Sequence, residues 1–293
     1  MQATYLGYFG TTGLPTIDYW ITDGVLHPAD SPEHTSEDIW RLDRCYVAYE
    51  PSDQAPTVVD PPCLSNGFIT FGSFNQSRKI TPYTAAVWSR VLQAVPNSRL
   101  LLKSRNLNEP EEQARIRQLF TSQGIAEARL ELLGHASSMA EHLAAYGRLD
   151  IALDTFPYTG CTTTCDALWM GVPVLTLAGT HKVQRMSASL LSAIGRSDWI
   201  ATDAEQLVAL AQALAAQPEQ LQQWRREQRT RLEASPLRDA QGLARSMEAA
   251  YRRMWQQAMA QERRELTPDL APTSSPEASA PGGPAAPEGT TAP

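Results

Sequence analysis

The chain is expected to form an α/β domain, a doubly wound parallel sheet of Rossmann-like type. Three observations carry that expectation. From residue 67 onward, short apolar runs alternate with segments of helical period. Several of those segments carry boundary signals, such as Thr81-Pro82 at a start and Gly124 and Gly171 at stops. Hydrophobic residues make up 42% of 293 residues, enough for a sizeable core.

Residues 1–66 precede this pattern. They are rich in Gly, Pro, Asp and aromatics, with a single strand candidate over 14–23. Too few amphipathic segments are present to close a core, so the stretch reads as the end of something larger. The alternation then begins with a strand over 68–74 and a helix from Thr81-Pro82 to about 94. A strand over 98–103 follows, then a helix over 111–123 closed by Gly124 and a short strand over 130–133. A helix over 138–147 has Ser138 and Glu141 at capping-box spacing. Next come a strand over 151–154, a short helix over 164–170 stopped by Gly171, a strand over 172–177 and a helix over 183–194. A short strand at 199–200 is followed by helices over 203–214, 218–235 and about 239–262. The remainder, 263–293, is a Pro/Ala-rich stretch with almost no large apolar residue, and it is expected to be disordered.

Bulk properties exclude several classes. The net charge of −7 argues against non-specific nucleic-acid binding, which needs a basic face. No apolar run approaches the ~18 residues of a membrane span, and the N-terminus lacks a signal-peptide pattern. A cytoplasmic protein is expected. Cys45, Cys63, Cys161 and Cys165 read as free thiols. No Asp-x-Asp occurs, so a carboxylate pair holding a metal-bound diphosphate is not suggested. Esterase, zinc-protease and thioredoxin motifs are also missing.

In a doubly wound sheet, ligands sit outside the carboxyl ends of the strands near a switch point. The strongest signal there is Asp154-Thr155-Phe156-Pro157-Tyr158-Thr159-Gly160-Cys161-Thr162-Thr163-Thr164-Cys165-Asp166. A strand ends, a Pro/Gly loop follows, and three threonines lead into a helix. The first turn of a helix leaves N–H groups unpaired and carries partial positive charge, which suits a diphosphate. Gly160 would let the backbone approach a ligand, and Asp166 could accept from ribose hydroxyls. Ordinary N-capping by Thr163 or Thr164 is the plainer alternative. The second signal, Asn75-Gln76-Ser77-Arg78-Lys79, crowds polar and basic groups at the first strand end, and a lysine there can neutralise a departing phosphate. A solvated basic loop would look the same. Lys103-Ser104-Arg105 adds cations on the same sheet edge. His142 sits alone on its helix, where a structural role is the commoner one.

These residues resemble a known family. Gly67-Phe68-Ile69-Thr70-Phe71-Gly72-Ser73-Phe74-Asn75-Gln76-Ser77-Arg78-Lys79-Ile80-Thr81-Pro82 is similar to the start of the C-terminal catalytic lobe of O-GlcNAc transferases and plant Spindly proteins. The segment 150–166 resembles the same family, and Ala250-Tyr251-Arg252-Arg253-Met254-Trp255 its closing helix. Gly7-Tyr8-Phe9-Gly10-Thr11-Thr12-Gly13 resembles the end of its N-terminal lobe. The likeness spans about residues 4–258.

The resemblance implies a GT-B glycosyltransferase divided into a remnant of the N-terminal lobe (1–66), a nucleotide-sugar-binding lobe (67–235) and a closing helix (236–262). The implied activity is inverting, metal-independent transfer of a sugar to protein Ser or Thr hydroxyls, with no cofactor beyond the donor. By position, Gln76 and Lys79 would contact the diphosphate, with Lys79 supporting the leaving group. His142 would lie beside the base, Thr162, Thr163 and Thr164 would hold the diphosphate, and Asp166 the ribose. O-GlcNAc transferases carry His where this chain has Cys161. The Spindly pattern has Thr there, and Glu at the place of Asp166. The donor is therefore UDP-GlcNAc, or GDP-fucose on the Spindly reading. Partners implied are a nucleotide sugar and an acceptor protein. The rest of the N-terminal lobe and the tandem helical repeats would lie before Met1, so a partner lobe, or a nucleotide-binding module without catalysis of its own, is also consistent.

Overall fold

The computed structural model describes residues 1–266. The expectation of disorder falls largely on residues outside these, although the last helix runs on through Leu266, past its expected end. The N-terminal stretch holds three strands where one was read: β1 (Ala3–Thr4), β2 (Tyr19–Asp23) and β3 (Asp38–Leu42). They pair in parallel in the order β1-β2-β3. The discrepancy is physical. β1 has only two residues, and β3, Asp-Ile-Trp-Arg-Leu, mixes charge with apolar groups because one face meets a distant helix.

A short helix α1 (Cys63–Asn66) leads into the large sheet. Its strands are β4 (Thr70–Ser73), β5 (Arg99–Lys103), β6 (Leu130–Leu133), β7 (Ile151–Leu153), β8 (Val174–Leu177) and β9 (Ile200–Ala201). All pair in parallel, in the order β6-β5-β4-β7-β8-β9. This is the doubly wound arrangement expected. β4, β7 and β8 are buried throughout, as strands covered on both faces must be.

The helices form two layers. α2 (Pro82–Ala94) packs against α3 (Pro110–Thr121) and α7 (Ala204–Ala215). α5 (Thr162–Trp169) packs against α6 (Met186–Ala193) and α8 (Pro218–Glu233). Local signals explain the starts. Thr81 caps α2 with Pro82 at the first helical position, and Asp203 caps α7 through the Gln206 N–H. α4 (Met139–Ala144) begins at Ser138, whose hydroxyl accepts from the Glu141 N–H. The expected capping box is only half made, because the Glu141 carboxylate turns to the Ser137 N–H and hydroxyl instead. The expected helix over 183–194 is divided into a 3-10 turn, Lys182–Gln184, and α6.

α9 (Ala240–Leu266) runs back across the small sheet. Ala250 and Met254 pack with Ile21 and Leu42 in a cluster separate from the main core. Among the described residues no helix is long and apolar enough to cross a membrane.

Candidate functional site

β4 and β7 lie side by side at the centre of the sheet, and their crossovers leave to opposite sides. The loops that follow them meet at the switch point, where a doubly wound sheet is expected to bind its ligand. After β4 come Phe74, Asn75 and Gln76, then a 3-10 turn over Ser77–Lys79. After β7 comes the loop from Asp154 to Cys161, then α5.

Asp154 organises that loop from beneath. Its Oδ1 accepts from the backbone N–H groups of Thr155 (2.9 Å) and Gly160 (2.7 Å) and from Asn75 Nδ2 (3.2 Å). Its Oδ2 accepts from the Thr176 hydroxyl at 2.8 Å. Burial pushes the carboxyl pKa up, and hydrogen bonds from Ser187, Thr176 and the Gly160 N–H, together with Lys79, oppose the shift. Gly160 also has a reason within the protein itself. A Cβ there would sit 2.5 Å from Thr164 Oγ1 and 3.1 Å from Asp154 Oδ1, so the missing side chain makes room for the protein's own network.

Lys79 stands where the two loops meet. Its ammonium donates to the Thr159 carbonyl (3.0 Å) and reaches Asn75 Oδ1 at 3.5 Å. It also lies 4.2 Å from the centre of the Tyr158 ring. Burial lowers its pKa, with Asp154 opposing. Asn75 Oδ1 also accepts from the Thr163 hydroxyl at 3.1 Å, so Asn75 joins Lys79, Asp154 and the start of α5.

The three threonines take three directions, as successive helical residues must. Thr162, the first residue of α5, is exposed. Thr163 is half-buried on Asn75. Thr164 is buried, and its hydroxyl is paired with Ser187 at 2.8 Å. The structure thus gives the Thr164 side chain an internal role and leaves Thr162 and Thr163 at the crevice. Cys161 occupies the cap position without a side-chain cap bond, its sulfur 3.3 Å from the Tyr46 hydroxyl. Asp166 lies one turn along, half-buried, and accepts from the Tyr49 hydroxyl at 2.7 Å. Burial raises its pKa, and that hydrogen bond opposes the rise.

A second cleft of about 450 Å³ adjoins the first, lined by Gln76, Phe74, Lys103, Arg105 and His142 among others. Gln76 is exposed in it. His142 Nδ1 lies 2.8 Å from the Lys103 ammonium. Burial first, then Lys103 and His135, push the imidazole pKa down to about 4, so the ring is neutral at physiological pH. Tyr146 joins the two clefts. Its ring packs on Phe74 (4.3 Å) and edge-on to His142 (5.8 Å), and its hydroxyl donates to the Thr163 carbonyl at 3.2 Å.

The structure therefore brings Lys79 and Thr163 together through Asn75, and Gln76 and His142 together in one cleft. Asp166 stands apart on its own tyrosine. Sequence reasoning quoted Asn75 and Asp154 without giving them roles, and it missed Tyr49 and Tyr146. Polar residues flanking a strand end were the only signal for the first pair. No local pattern marks the tyrosines, whose partners lie 117 and 17 residues away. Among the described residues no three His, Cys, Asp or Glu side chains are grouped to hold a metal ion.

Residues 50–247 match the family model of glycosyl transferase family 41. The chain belongs to glycosyl transferase family 41. Within the family it is similar to the probable UDP-N-acetylglucosamine--peptide N-acetylglucosaminyltransferase SPINDLY of Oryza sativa subsp. japonica. The two are 43% identical over 87% of this chain and 28% of that protein. Similarity to the Arabidopsis thaliana protein of the same description named SEC is lower, 30% over 87% of this chain and 27% of that protein. Among solved structures it resembles a K341M mutant of the Thermobaculum terrenum O-GlcNAc transferase. The TM-score is 0.80 at 34% identity, over 89% of this chain and 49% of that one. The chain thus spans between a quarter and a third of the length of the curated relatives it matches.

Proposed function

We propose that the crevice between β4 and β7 holds the diphosphate of a nucleotide sugar, and that the chain is the donor-binding part of a protein O-glycosyltransferase. The donor in this reading is UDP-GlcNAc, and the acceptor is a Ser or Thr hydroxyl of a protein. The observation that carries it is the Lys79 ammonium, tethered to the Thr159 carbonyl and Asn75 beside the exposed start of α5. A cation and a helix N-terminus converge there with one side open.

The acceptor oxygen attacks the anomeric carbon as the bond from that carbon to the diphosphate oxygen breaks, with inversion and without a metal. Negative charge then grows on the departing nucleoside diphosphate. Lys79 and the unpaired N–H groups at the start of α5 stabilise it in place, with Thr162 adding a hydroxyl donor and Thr163 a second once its proton turns from Asn75 Oδ1 to the diphosphate. Gln76 supports the diphosphate, His142 faces the base and Asp166 accepts from the ribose. The acceptor is brought by further protein, a partner lobe or helical-repeat segment.

A second reading takes GDP-fucose as donor. It rests on the Spindly-like residues of the sequence and the higher identity to SPINDLY relatives than to SEC, although both are described as probable UDP-N-acetylglucosamine enzymes. Thermal melting with UDP, GDP, UDP-GlcNAc, GDP-fucose and NAD separates the readings. A ligand at ~100 times its dissociation constant raises stability by about 2.7 kcal/mol. A shift with uridine compounds alone supports the first reading, and with guanosine compounds alone the second. A shift with NAD alone, or with none of the five, overturns both.

A further inference from the structure

His142 and Lys103 come from different elements, α4 and the end of β5, yet their nitrogens meet at 2.8 Å. An ammonium has no lone pair, so Lys103 donates and His142 Nδ1 accepts. The ring proton of the neutral imidazole is then on Nε2. Lys103 is itself buried, with its ammonium 5.7 Å from the centre of the Phe74 ring, so it cannot easily swing away. Phe74 and Tyr146 hold the His142 ring on two sides. Nε2 has no hydrogen-bond partner among the described residues, and His142 lines the cleft.

We propose that Lys103 is a positioning residue for nucleotide-base recognition: it fixes His142 as the Nε2–H tautomer, so the cleft presents one oriented donor that pairs with a base carbonyl oxygen. Uracil and guanine offer such an oxygen. Cytosine and adenine place an amino group at the same point, and two donors then face each other with neither paired. The base-selection part rests on the donor-site reading above, whereas the tautomer does not. The other charged or titratable groups around the ring are His135 on the loop after β6, Glu141 on the same helix, Tyr146, and Arg78 and Arg105 across the cleft. His135 disfavours the imidazolium as Lys103 does.

The first test needs no ligand. Nitrogen-15 spectra of the imidazole in the full chain are followed against pH in wild type, Lys103→Met and Lys103→Arg. In wild type His142 is expected as a single Nε2–H tautomer, titrating near 4. Lys103→Met is expected to mix the tautomers and move the midpoint toward the ordinary ~6.5, and Lys103→Arg to restore both. A wild-type His142 protonated on Nδ1, or titrating near 6.5, overturns the proposal even if the Met variant fails to fold. An unchanged tautomer and midpoint in Lys103→Met overturn it as well.

The second test compares binding of UDP with CDP, and of GDP with ADP. At least about a tenfold preference for the carbonyl-bearing base is expected in wild type within the pair that binds. The preference collapses in Lys103→Met, while inorganic pyrophosphate binds both proteins alike. Equal affinity within both pairs in wild type overturns base selection by His142. Failure of every nucleotide to bind overturns the donor-site reading and base selection with it, and the spectra still decide the tautomer.

Discussion

Two of the lysines around the large sheet, Lys79 and Lys182, are held in opposite ways. Lys79, in the crevice between β4 and β7, is half-buried and donates to the Thr159 carbonyl and Asn75, with one side facing the start of α5. Lys182, on the turn after β8, lies between the large and small sheets and is only 1% exposed. Its ammonium rests 3.5 Å from the centre of the Trp20 ring and 5.9 Å from that of Phe9. Burial drives its pKa down to about 7 against the pull of Glu33, Asp23 and Glu37. The more strongly perturbed lysine is thus the one walled in by aromatics, serving as a wedge between two sheets. The less perturbed one is half-buried and held by two oxygens and the Tyr158 ring. Perturbation alone does not mark a reactive group.

The largest effect is expected where the crevice loses its support. Asp154→Ala leaves the Asn75 amide, the Gly160 N–H and the Thr176 hydroxyl without their acceptor. It should cost about 3–5 kcal/mol of unfolding free energy. Urea denaturation measures this, and a loss below about 1 kcal/mol would mean that the network is not what shapes the loop.

Lys79→Ala should lower transfer about 10²–10³-fold while stability stays within about 1 kcal/mol of wild type. Turnover with an acceptor protein, set beside a melting curve, checks both halves. Unchanged turnover would remove the leaving-group role.

Lys182→Met probes the other lysine. From about pH 7 up to the ordinary lysine range, the unfolded chain keeps a proton that the folded chain has lost. Wild-type stability should therefore rise with pH there, by up to about 1.4 kcal/mol per unit. Below pH 7 both states are protonated and the cost of the buried charge is fully present. The Met variant should lack the slope and match or exceed wild type at pH 6. The same slope in both proteins would assign it to another group.

The smallest effect concerns Glu37, which ties the 11–12 turn to the start of β3. Burial pushes its carboxyl up, but hydrogen bonds from Thr12 and Thr11 outweigh that and bring it down to about 2. Its contribution is present above the ordinary carboxyl range and lost as pH falls toward 2. Glu37→Gln should remove about 1 kcal/mol at pH 7 and little at pH 2. Equal losses at both pH values would show that the charge is not involved.

The surroundings of the two lysines were not equally legible in the sequence. Each large-sheet element carries its own signal, such as Pro82 at a helix start or the uninterrupted apolar run Leu100-Leu101-Leu102, so alternation and topology could be read. The crevice could be read as a place, since Lys79 and the threonines flank strand ends. What each hydroxyl does could not be read from composition, although helical geometry alone turns Thr164 inward when Thr162 faces out. Pairings across the fold left no local trace. Lys103 and His142 are 39 residues apart, and each looked ordinary alone. The small sheet was harder still. β3 earns its burial from α9, some 200 residues later, and Lys182 looks like a surface cation until Trp20 and Phe9 close over it.

Calorimetric titration of UDP and GDP into wild type and Lys79→Met tests the diphosphate site most directly. One of the two nucleotides should bind wild type, with affinity falling at least about tenfold in the variant, a loss of about 1.4 kcal/mol. Uridine or guanosine without phosphates should not distinguish the two proteins. Equal affinity of the diphosphate for both proteins would contradict a diphosphate held by Lys79 between β4 and β7.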